Sequence, residues 1–166
     1  MSQTSIVKQL PAKLITSEDF KPYGQLITPS PDGKPYDPTD AQLELNKGIP
    51  RFYIMRLDHR GRKFTKITRH NLCTQCLGSL AGKDWYIAVA PPNSDTKPEI
   101  DKMAAFHIPG DCFIKLEVGT WHAGPYFDHE TVDFYNLELS DTNVVDHFTH
   151  NFLTQEQLEF EIVNVS

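Results

Sequence analysis

Hydrophobic residues in this chain cluster in short runs that are rich in β-branched and aromatic side chains, and several runs alternate with polar positions. Such runs predict β-strands. Glycine, proline and aspartate separate them, and no long stretch repeats apolar residues at the helical period. The pattern therefore predicts an all-β sandwich or barrel. The predicted strands are residues 51–57, 63–70, 74–77, 85–90, 103–108, 131–139 and 159–165.

The N-terminal part of the chain carries a different pattern. An extended piece leads to Ser17, which is a good N-cap and is followed by two acidic residues, so we expect one or two turns of helix there. Residues 25–28 read as a strand, and the proline-rich segment 29–48 as a long loop. Residues 154–157 predict one late helical turn.

The segment 110–126 is the most informative part of the pattern. It begins as a half-apolar strand, breaks at Gly119 and continues with Trp121 and His122 just past the bend. Glycine permits the sharp turn and the close backbone approach that such a bend needs. A histidine fixed there, between two strands of a barrel, is the best single candidate for chemistry.

Composition narrows the class of protein. The 166 residues suffice for one domain with a real core, so we expect a single domain over residues 1–166. The net charge of −6 argues against nucleic acid as a partner. No apolar run suggests a signal peptide or a membrane span, and three cysteines do not form a disulfide framework. We expect a soluble, cytoplasmic protein that acts on a small molecule.

Other residues with possible chemistry have simpler interpretations. Cys73 and Cys76 form a CxxC, but a zinc site needs a second pair, so we interpret them as small strand residues. His147 and His150 could lie on one helical turn; we interpret them as surface or packing residues. His129 lies in a predicted turn and is interpreted as solvated.

His70 and His122 belong to two spaced motifs. His70, Gln75 and Gly82 form the first, and Gly119 and His122 form the second. At these positions the chain resembles the cupin superfamily. The resemblance implies a double-stranded β-helix, which is a jelly-roll barrel, with one or two short helices.

A wider set of residues resembles one cupin branch, the ureidoglycolate lyase family. The shared residues run through nearly the whole chain: Ser17, Phe20, Tyr23-Gly24, Asn46, Gly48, Arg51, Arg69-His70, Thr74-Gln75, Asp95, Pro98, Ala105-Phe106, Trp121-His122 and Asp133-Phe134. The resemblance implies cleavage of the C–N bond of ureidoglycolate to glyoxylate and urea, in allantoin breakdown. It also implies a divalent metal such as nickel or manganese, for which His70, Gln75 and His122 are the candidate ligands, and a homodimer. Because exposed strand edges invite pairing, we expect the N-terminal strand or the strand 159–165 to join the two copies.

The lyase chemistry assigns roles to eight residues. It needs an acid or base that titrates near neutral pH, a cation for the substrate carboxylate and polar partners for the ureido group. The candidate acid–base residues are His122, His70 and Asp133, where Asp133 could instead support His122. The candidate substrate-binding residues are Arg51, Arg69, Gln75, Lys115 and Trp121, where Gln75 could also orient a histidine and Trp121 forms a wall of the core or the pocket.

A second function stays open at this point. The chain has Thr68, Leu116 and Ala123 where well-studied bacterial lyases carry an acidic residue, a tyrosine and a second histidine. The alternative is a cupin that binds a small molecule, or acts on another substrate, without the lyase reaction. A glyoxylate assay with ureidoglycolate separates the two.

Overall fold

The computed structural model describes residues 4–165, which form a mostly β structure with three short α-helices and one 3₁₀ turn. The strands are β1 (Ile6–Leu14), β2 (Gly24–Ile27), β3 (Pro50–Asp58), β4 (Lys63–Phe64), β5 (Lys66–Arg69), β6 (Gln75–Ser79), β7 (Gly82–Ala90), β8 (Ala104–Gly110), β9 (Phe113–Leu116), β10 (Trp121–Tyr126), β11 (Thr131–Leu139), β12 (Phe148–Asn151) and β13 (Leu158–Asn164). The helices are α1 (Ser17–Phe20), α2 (Thr142–Val145) and α3 (Phe152–Glu156), and the 3₁₀ turn is Ile100–Lys102.

The strands form two sheets, as expected for the cupin-type β-barrel. One sheet has eight strands in the order β12-β5-β10-β7-β8-β1-β13-β4, and the other has five in the order β2-β9-β6-β11-β3. The main core lies between them, because side chains from both sheets meet in one cluster that includes Trp85, Phe106, Ile114 and Phe134. The all-β prediction is therefore confirmed.

The eight-stranded sheet also curls around a second core. Phe64 on β4 stacks with Tyr126 on β10 at 5.9 Å between ring centroids, although these strands stand far apart in the sheet order. Such a contact requires the two ends of the sheet to approach each other. Phe152 and Phe160 fill the space between them.

A bend in the chain brings the two predicted histidines together. Gly119 lies between β9 and β10 with a φ of +83°, a left-handed conformation that favours glycine. Its backbone N–H donates to the carbonyl oxygen of His70 at 2.7 Å. On β10, His122 pairs with Thr68 of β5 and with Val89 of β7. The bend and this register fix His122 beside His70.

Most predicted elements are present, with some differences. The strand predicted over residues 63–70 is divided into β4 and β5, which lie at opposite ends of the eight-stranded sheet, and the 3₁₀ turn was not predicted. The late helical turn is α3, and the short helix after Ser17 is α1, but α2 and β12 were not predicted. Residues His147 to His150 alternate too weakly to mark a strand, and β12 forms because it pairs with β5. None of the helices in residues 4–165 is both long and apolar enough to cross a membrane.

The terminal strands, which we expect to join two copies, lie at a sheet edge over only part of their length. β1 lies between β8 and β13, and β13 lies between β1 and β4. The second neighbour covers only part of each strand, because β8 pairs with residues 12–14 of β1 and β4 pairs with residues 160–161 of β13.

Candidate active site

A cavity of about 220 Å³ lies between the two sheets. Strands β3, β6 and β11 of the five-stranded sheet form one wall, and β10 and the segments around His70 and His147 form the other. Its polar lining residues are Tyr53, Arg60, His70, Gln75, His122, Asn136, Glu138, Asn143 and His147.

His70 and His122 face each other in this cavity. Their ring centroids are 5.0 Å apart. His70 Nδ1 lies 2.6 Å from the carbonyl oxygen of Asp146, and because a carbonyl can only accept, Nδ1 carries the proton. The Nε2 atom of His70 is therefore left with a free lone pair. His122 Nδ1 makes a longer contact of 3.4 Å with the Thr120 carbonyl oxygen, which favours the same tautomer.

The environment keeps both imidazoles neutral near pH 7. Desolvation, together with the His70 ring, lowers the pKa of His122 to about 3. Desolvation also lowers the pKa of His70, but the Asp146 carbonyl opposes this shift because it stabilises the imidazolium. His70 is consequently the better proton acceptor of the two, and His122 the side chain that stays neutral.

A buried polar network forms the opposite wall. Gln75 Nε2 donates to Asn136 Oδ1 at 3.0 Å and to Glu138 Oε2 at 3.5 Å, and Asn136 Nδ2 donates to the Tyr53 hydroxyl at 3.2 Å. Gln75 Oε1 is buried without a hydrogen-bond partner among the residues that the structure describes. Arg51 stacks on the Tyr53 ring with 3.6 Å between its guanidinium carbon and the ring centroid.

Glu138 is a carboxyl group inside the protein, since only 1% of the residue is exposed. Burial raises its pKa, while Arg51, Asn136 and Tyr53 act in the opposite direction. The pKa of Glu138 is therefore closer to neutral pH than that of an exposed glutamate.

Arg60 supplies a cation at the cavity. Its Nη2 donates to the Pro125 carbonyl oxygen at 3.1 Å, and its guanidinium carbon lies 5.0 Å from the Tyr126 ring centroid. A second cavity of about 450 Å³ shares Arg60, His122 and His147 with the first. Arg60 can therefore meet an anionic ligand from either space.

Comparison with known proteins decides the family. The family model described as Ureidoglycolate lyase matches residues 50–157, which is more than half of the chain. The chain belongs to the ureidoglycolate lyase family. This is a cupin-type family, in agreement with the resemblance carried by the sequence motifs.

Two further comparisons complete this result. Among curated proteins, none matches the chain. Among solved structures, a dTDP sugar isomerase from Desulfovibrio desulfuricans G20 is similar with a TM-score of 0.46 and 11% sequence identity, over 78% of this chain and 81% of that one.

Three of the residues predicted from the ureidoglycolate lyase resemblance meet in the cavity: His70, Gln75 and His122. Arg51 does not line the cavity, but it stacks on Tyr53, which does, and lies near Glu138. The structure places the other four predicted residues elsewhere.

Asp133 is not near His122, and its predicted role needs correction. On β11 the even-numbered residues from Val132 to Glu138 are buried, so Asp133 points to the opposite face. There its carboxylate accepts from Arg56 Nε at 2.8 Å and from Arg56 Nη2 at 3.1 Å. The Arg56 guanidinium holds the pKa of this carboxyl below its usual range.

Arg69 and Trp121 also lie outside the cavity, because the neighbours on their strands, Thr68 and His122, take the inward positions. Arg69 donates to backbone oxygens of Asn93 and Asp95 and stacks over the Trp121 ring at 4.3 Å. Arg69 and Trp121 hydrogen-bond the loop after β7 and hold it on the face of the sheet opposite the cavity. Neither side chain is therefore placed to bind a substrate in the cavity.

Lys115 is likewise directed away from the cavity. Ile114 and Leu116 on either side of it point into the main core, so the lysine takes the other face of β9. It is buried there and pairs with Glu117. A buried, paired ammonium on that face cannot meet a carboxylate in the cavity.

The sequence contained a signal for some of the residues that were missed. Val132 and Phe134 mark the inward positions of β11, so Asn136 and Glu138 continue the apolar face as polar residues, which is typical of a site. Arg60 and His147 lie in connecting segments without periodicity, and no local pattern indicates them.

The side chains do not fit a typical catalytic divalent metal. Within residues 4–165, no group of three or more histidine, cysteine, aspartate or glutamate side chains could hold such an ion. His70, His122 and Gln75 would offer two imidazole nitrogens and a neutral amide oxygen. Catalytic sites commonly add a third histidine or a carboxylate, but neither His147 nor Glu138, which also line the cavity, forms a metal-holding group with them. We therefore derive no step through a metal.

Proposed function

We propose that the protein is a ureidoglycolate lyase that cleaves the C–N bond of ureidoglycolate to give glyoxylate and urea. Two observations support this proposal: the family match over residues 50–157, and the facing imidazoles of His70 and His122 in the cavity between the two sheets. The geometry of the two imidazoles carries the mechanism. No observation favours a cupin that only binds a ligand.

The reaction needs one proton acceptor that later becomes a donor. His70 Nε2 takes the proton of the substrate hydroxyl, and the Asp146 carbonyl stabilises the resulting imidazolium. As the C–O bond becomes a carbonyl, the C–N bond breaks and its electrons go to the urea nitrogen. That nitrogen takes the proton back from His70, so the reaction is balanced without another reactant.

His122 and Arg60 complete the proposal. His122 stays neutral because its pKa is lowered to about 3, so it can hydrogen-bond the substrate without competing for the hydroxyl proton. Arg60 is the cation that lines the cavity, and its planar guanidinium suits the substrate carboxylate.

Substitution of the two histidines tests this assignment. We expect His70→Gln to lower kcat by about 100-fold or more, since general base catalysis contributes on that order. His122→Gln should lower kcat/KM as well. His59→Gln is the matched control, because His59 lies outside both cavities and contacts the Phe127 carbonyl. Glyoxylate release measured on folded variants decides the question, and an unchanged rate in His70→Gln would contradict the role of that residue.

A homodimer belongs to the proposal, on a different surface from the one expected. Among the described strands, β3 pairs only with β11, so it is an edge strand. Its outward residues Phe52 and Ile54 are 70% and 62% exposed. Antiparallel pairing of two β3 strands about a twofold axis would cover these side chains and join the two five-stranded sheets.

The biological setting is proposed on the same basis. A ureidoglycolate lyase acts in allantoin breakdown, which releases purine nitrogen, and we propose a cytoplasmic location and a single domain for this chain. Assay of glyoxylate formation in cell fractions would test the location.

A further inference from the structure

Asp146 contacts three consecutive residues that begin at His70, although it lies 76 positions later in the chain. Its carboxylate accepts from the backbone N–H of Asn71 at 2.7 Å through Oδ1 and from that of Leu72 at 2.8 Å through Oδ2. Its carbonyl oxygen accepts from His70 Nδ1 at 2.6 Å. One residue therefore holds both the histidine ring and the start of the loop that joins β5 to β6.

Helix α2 fixes the position of Asp146. The Asp146 N–H donates to the Thr142 carbonyl oxygen at 3.1 Å. The hydroxyl of Thr142 accepts from the Leu139 N–H at 3.1 Å, at the end of β11, and this threonine is only 1% exposed. Asp146 is itself buried. Asp146 is therefore tied to the end of β11, and through its carboxylate the loop after β5 is tied to the same place.

The other contacts of His70 leave one ring nitrogen for the cavity. The His70 carbonyl oxygen accepts from the Gly119 N–H at 2.7 Å, which fixes the backbone from the side of β10. The rings of His122 and His147 have centroids 5.0 and 5.8 Å from that of His70. Among residues 4–165, the Asp146 carbonyl oxygen is nevertheless the only hydrogen-bond partner of the His70 ring. Nε2 is thus the nitrogen available to a ligand in the cavity.

We propose that the Asp146 side chain is a positioning group for His70: its carboxylate anchors the loop and so holds the Asp146 carbonyl against Nδ1. The hydrogen bond at one ring nitrogen decides which tautomer a histidine adopts. With the proton on Nδ1, Nε2 presents a lone pair to the cavity. With the proton on Nε2, as in most unconstrained histidines, the ring could not take a proton from a ligand there. The effect on catalysis rests on the proposed function, whereas the tautomer is measured without a substrate.

The tautomer is measured by long-range proton–nitrogen correlation NMR of the histidine rings, in buffer basic enough to keep them neutral. The signals of His70 are identified by their loss in His70→Gln. We expect wild-type His70 in the Nδ1–H form. In Asp146→Ala, and to a smaller extent in Asp146→Asn, which keeps one side-chain oxygen, we expect the Nε2–H form to appear, because the carbonyl is no longer held against the ring.

The kinetic consequence is a fall in kcat without a matching rise in KM. Asp146 does not line the cavity, so its substitution should leave KM within about twofold of wild type. It should lower kcat by about tenfold or more, as expected when a proton acceptor is misplaced. Asp141→Asn is the matched control, because Asp141 precedes the same helix, is exposed, and caps no backbone N–H with its side chain. This variant should keep the wild-type tautomer and rate.

The outcomes separate this inference from the proposed function, and Asp146→Asn decides the question if Asp146→Ala does not fold. An Nε2–H tautomer in wild-type His70, or an Nδ1–H tautomer that persists fully in each folded variant, would overturn the role of Asp146. The expected tautomers in a protein that does not turn over ureidoglycolate would retain this role and refute the lyase activity. Turnover by a wild-type protein with the Nε2–H tautomer would overturn the role of Asp146 and retain the lyase activity.

Discussion

The two cavity histidines differ although they have the same side chain. His70 Nδ1 lies 2.6 Å from the Asp146 carbonyl oxygen, which stabilises the charged form of the ring. His122 has only a 3.4 Å contact with the Thr120 carbonyl oxygen, and the neighbouring His70 ring lowers its pKa further. The difference makes His70 the better proton acceptor, and it is why the proposed mechanism gives the proton transfer to His70. It also means that the folded protein keeps His122 uncharged well below the pH at which an exposed histidine would be protonated.

This lowered pKa predicts a pH dependence of stability. Between pH 6.5 and about 3 the unfolded chain binds a proton at His122 that the folded protein excludes, so the free energy of unfolding falls as the pH falls. The slope from this residue is at most about 1.4 kcal/mol per pH unit. Denaturant unfolding at pH 7 and pH 5 should show a smaller loss for His122→Gln than for wild type. Equal losses would contradict the lowered pKa.

At the residue scale the sequence predicts the site in part. His70, Gln75 and His122 were found because their spacing reflects strands that must meet. Asp133 was misplaced because its neighbours Phe134 and Val132 take the inward positions, and a one-residue offset on a strand reverses the face. Arg60 could not be predicted, since its position depends on contacts with Pro125 and Tyr126, which are distant in sequence.

At the scale of elements, β5 and β10 present different chemistry on their two faces. Thr68 and His122 line the cavities, while Arg69 and Trp121 hold the loop after β7 through the Asn93 side chain and backbone. Of the adjacent residues shared with the family, one therefore lines a cavity and the other supports the loop after β7. The Arg-His and Trp-His pairs in the sequence are each one supporting residue followed by one cavity residue.

Substitution of Arg69 tests this division. Arg69→Met keeps much of the apolar contact with Trp121 but removes three hydrogen bonds to Asn93 and Asp95. We expect a loss of about 2–3 kcal/mol in the free energy of unfolding and a KM within about twofold of wild type. Denaturant titration and steady-state kinetics measure the two effects. A large rise in KM with an unchanged free energy of unfolding would contradict this division and indicate that Arg69 binds the substrate.

The sequence predicted most strands because each one contains its own run of apolar residues, often alternating with polar residues. It could not predict which strands form the edges. β1 and β13 gain second neighbours over part of their length from β8 and β4, which come from distant parts of the chain. Edge position is a property of the whole topology and has no local signal.

For the whole molecule, the exposed edge strand β3 predicts the mode of association. Phe52→Asp combined with Ile54→Asp should convert a dimer to a monomer, because the charges would face each other across the twofold axis. Light scattering after size exclusion measures the mass. Ile6→Asp, on the exposed side of β1, is the control and should leave the dimer intact. A wild-type monomer, or a dimer that survives the double substitution, would contradict the β3 interface.

The central claim for the molecule is that the cavity between its sheets cleaves ureidoglycolate. The most direct measurement is the release of glyoxylate and urea from ureidoglycolate by purified, folded wild-type protein, with and without added nickel or manganese. The account predicts equimolar formation of both products, with a rate that falls by about 100-fold or more in His70→Gln. Absence of turnover in every condition, by protein that unfolds cooperatively, would contradict it.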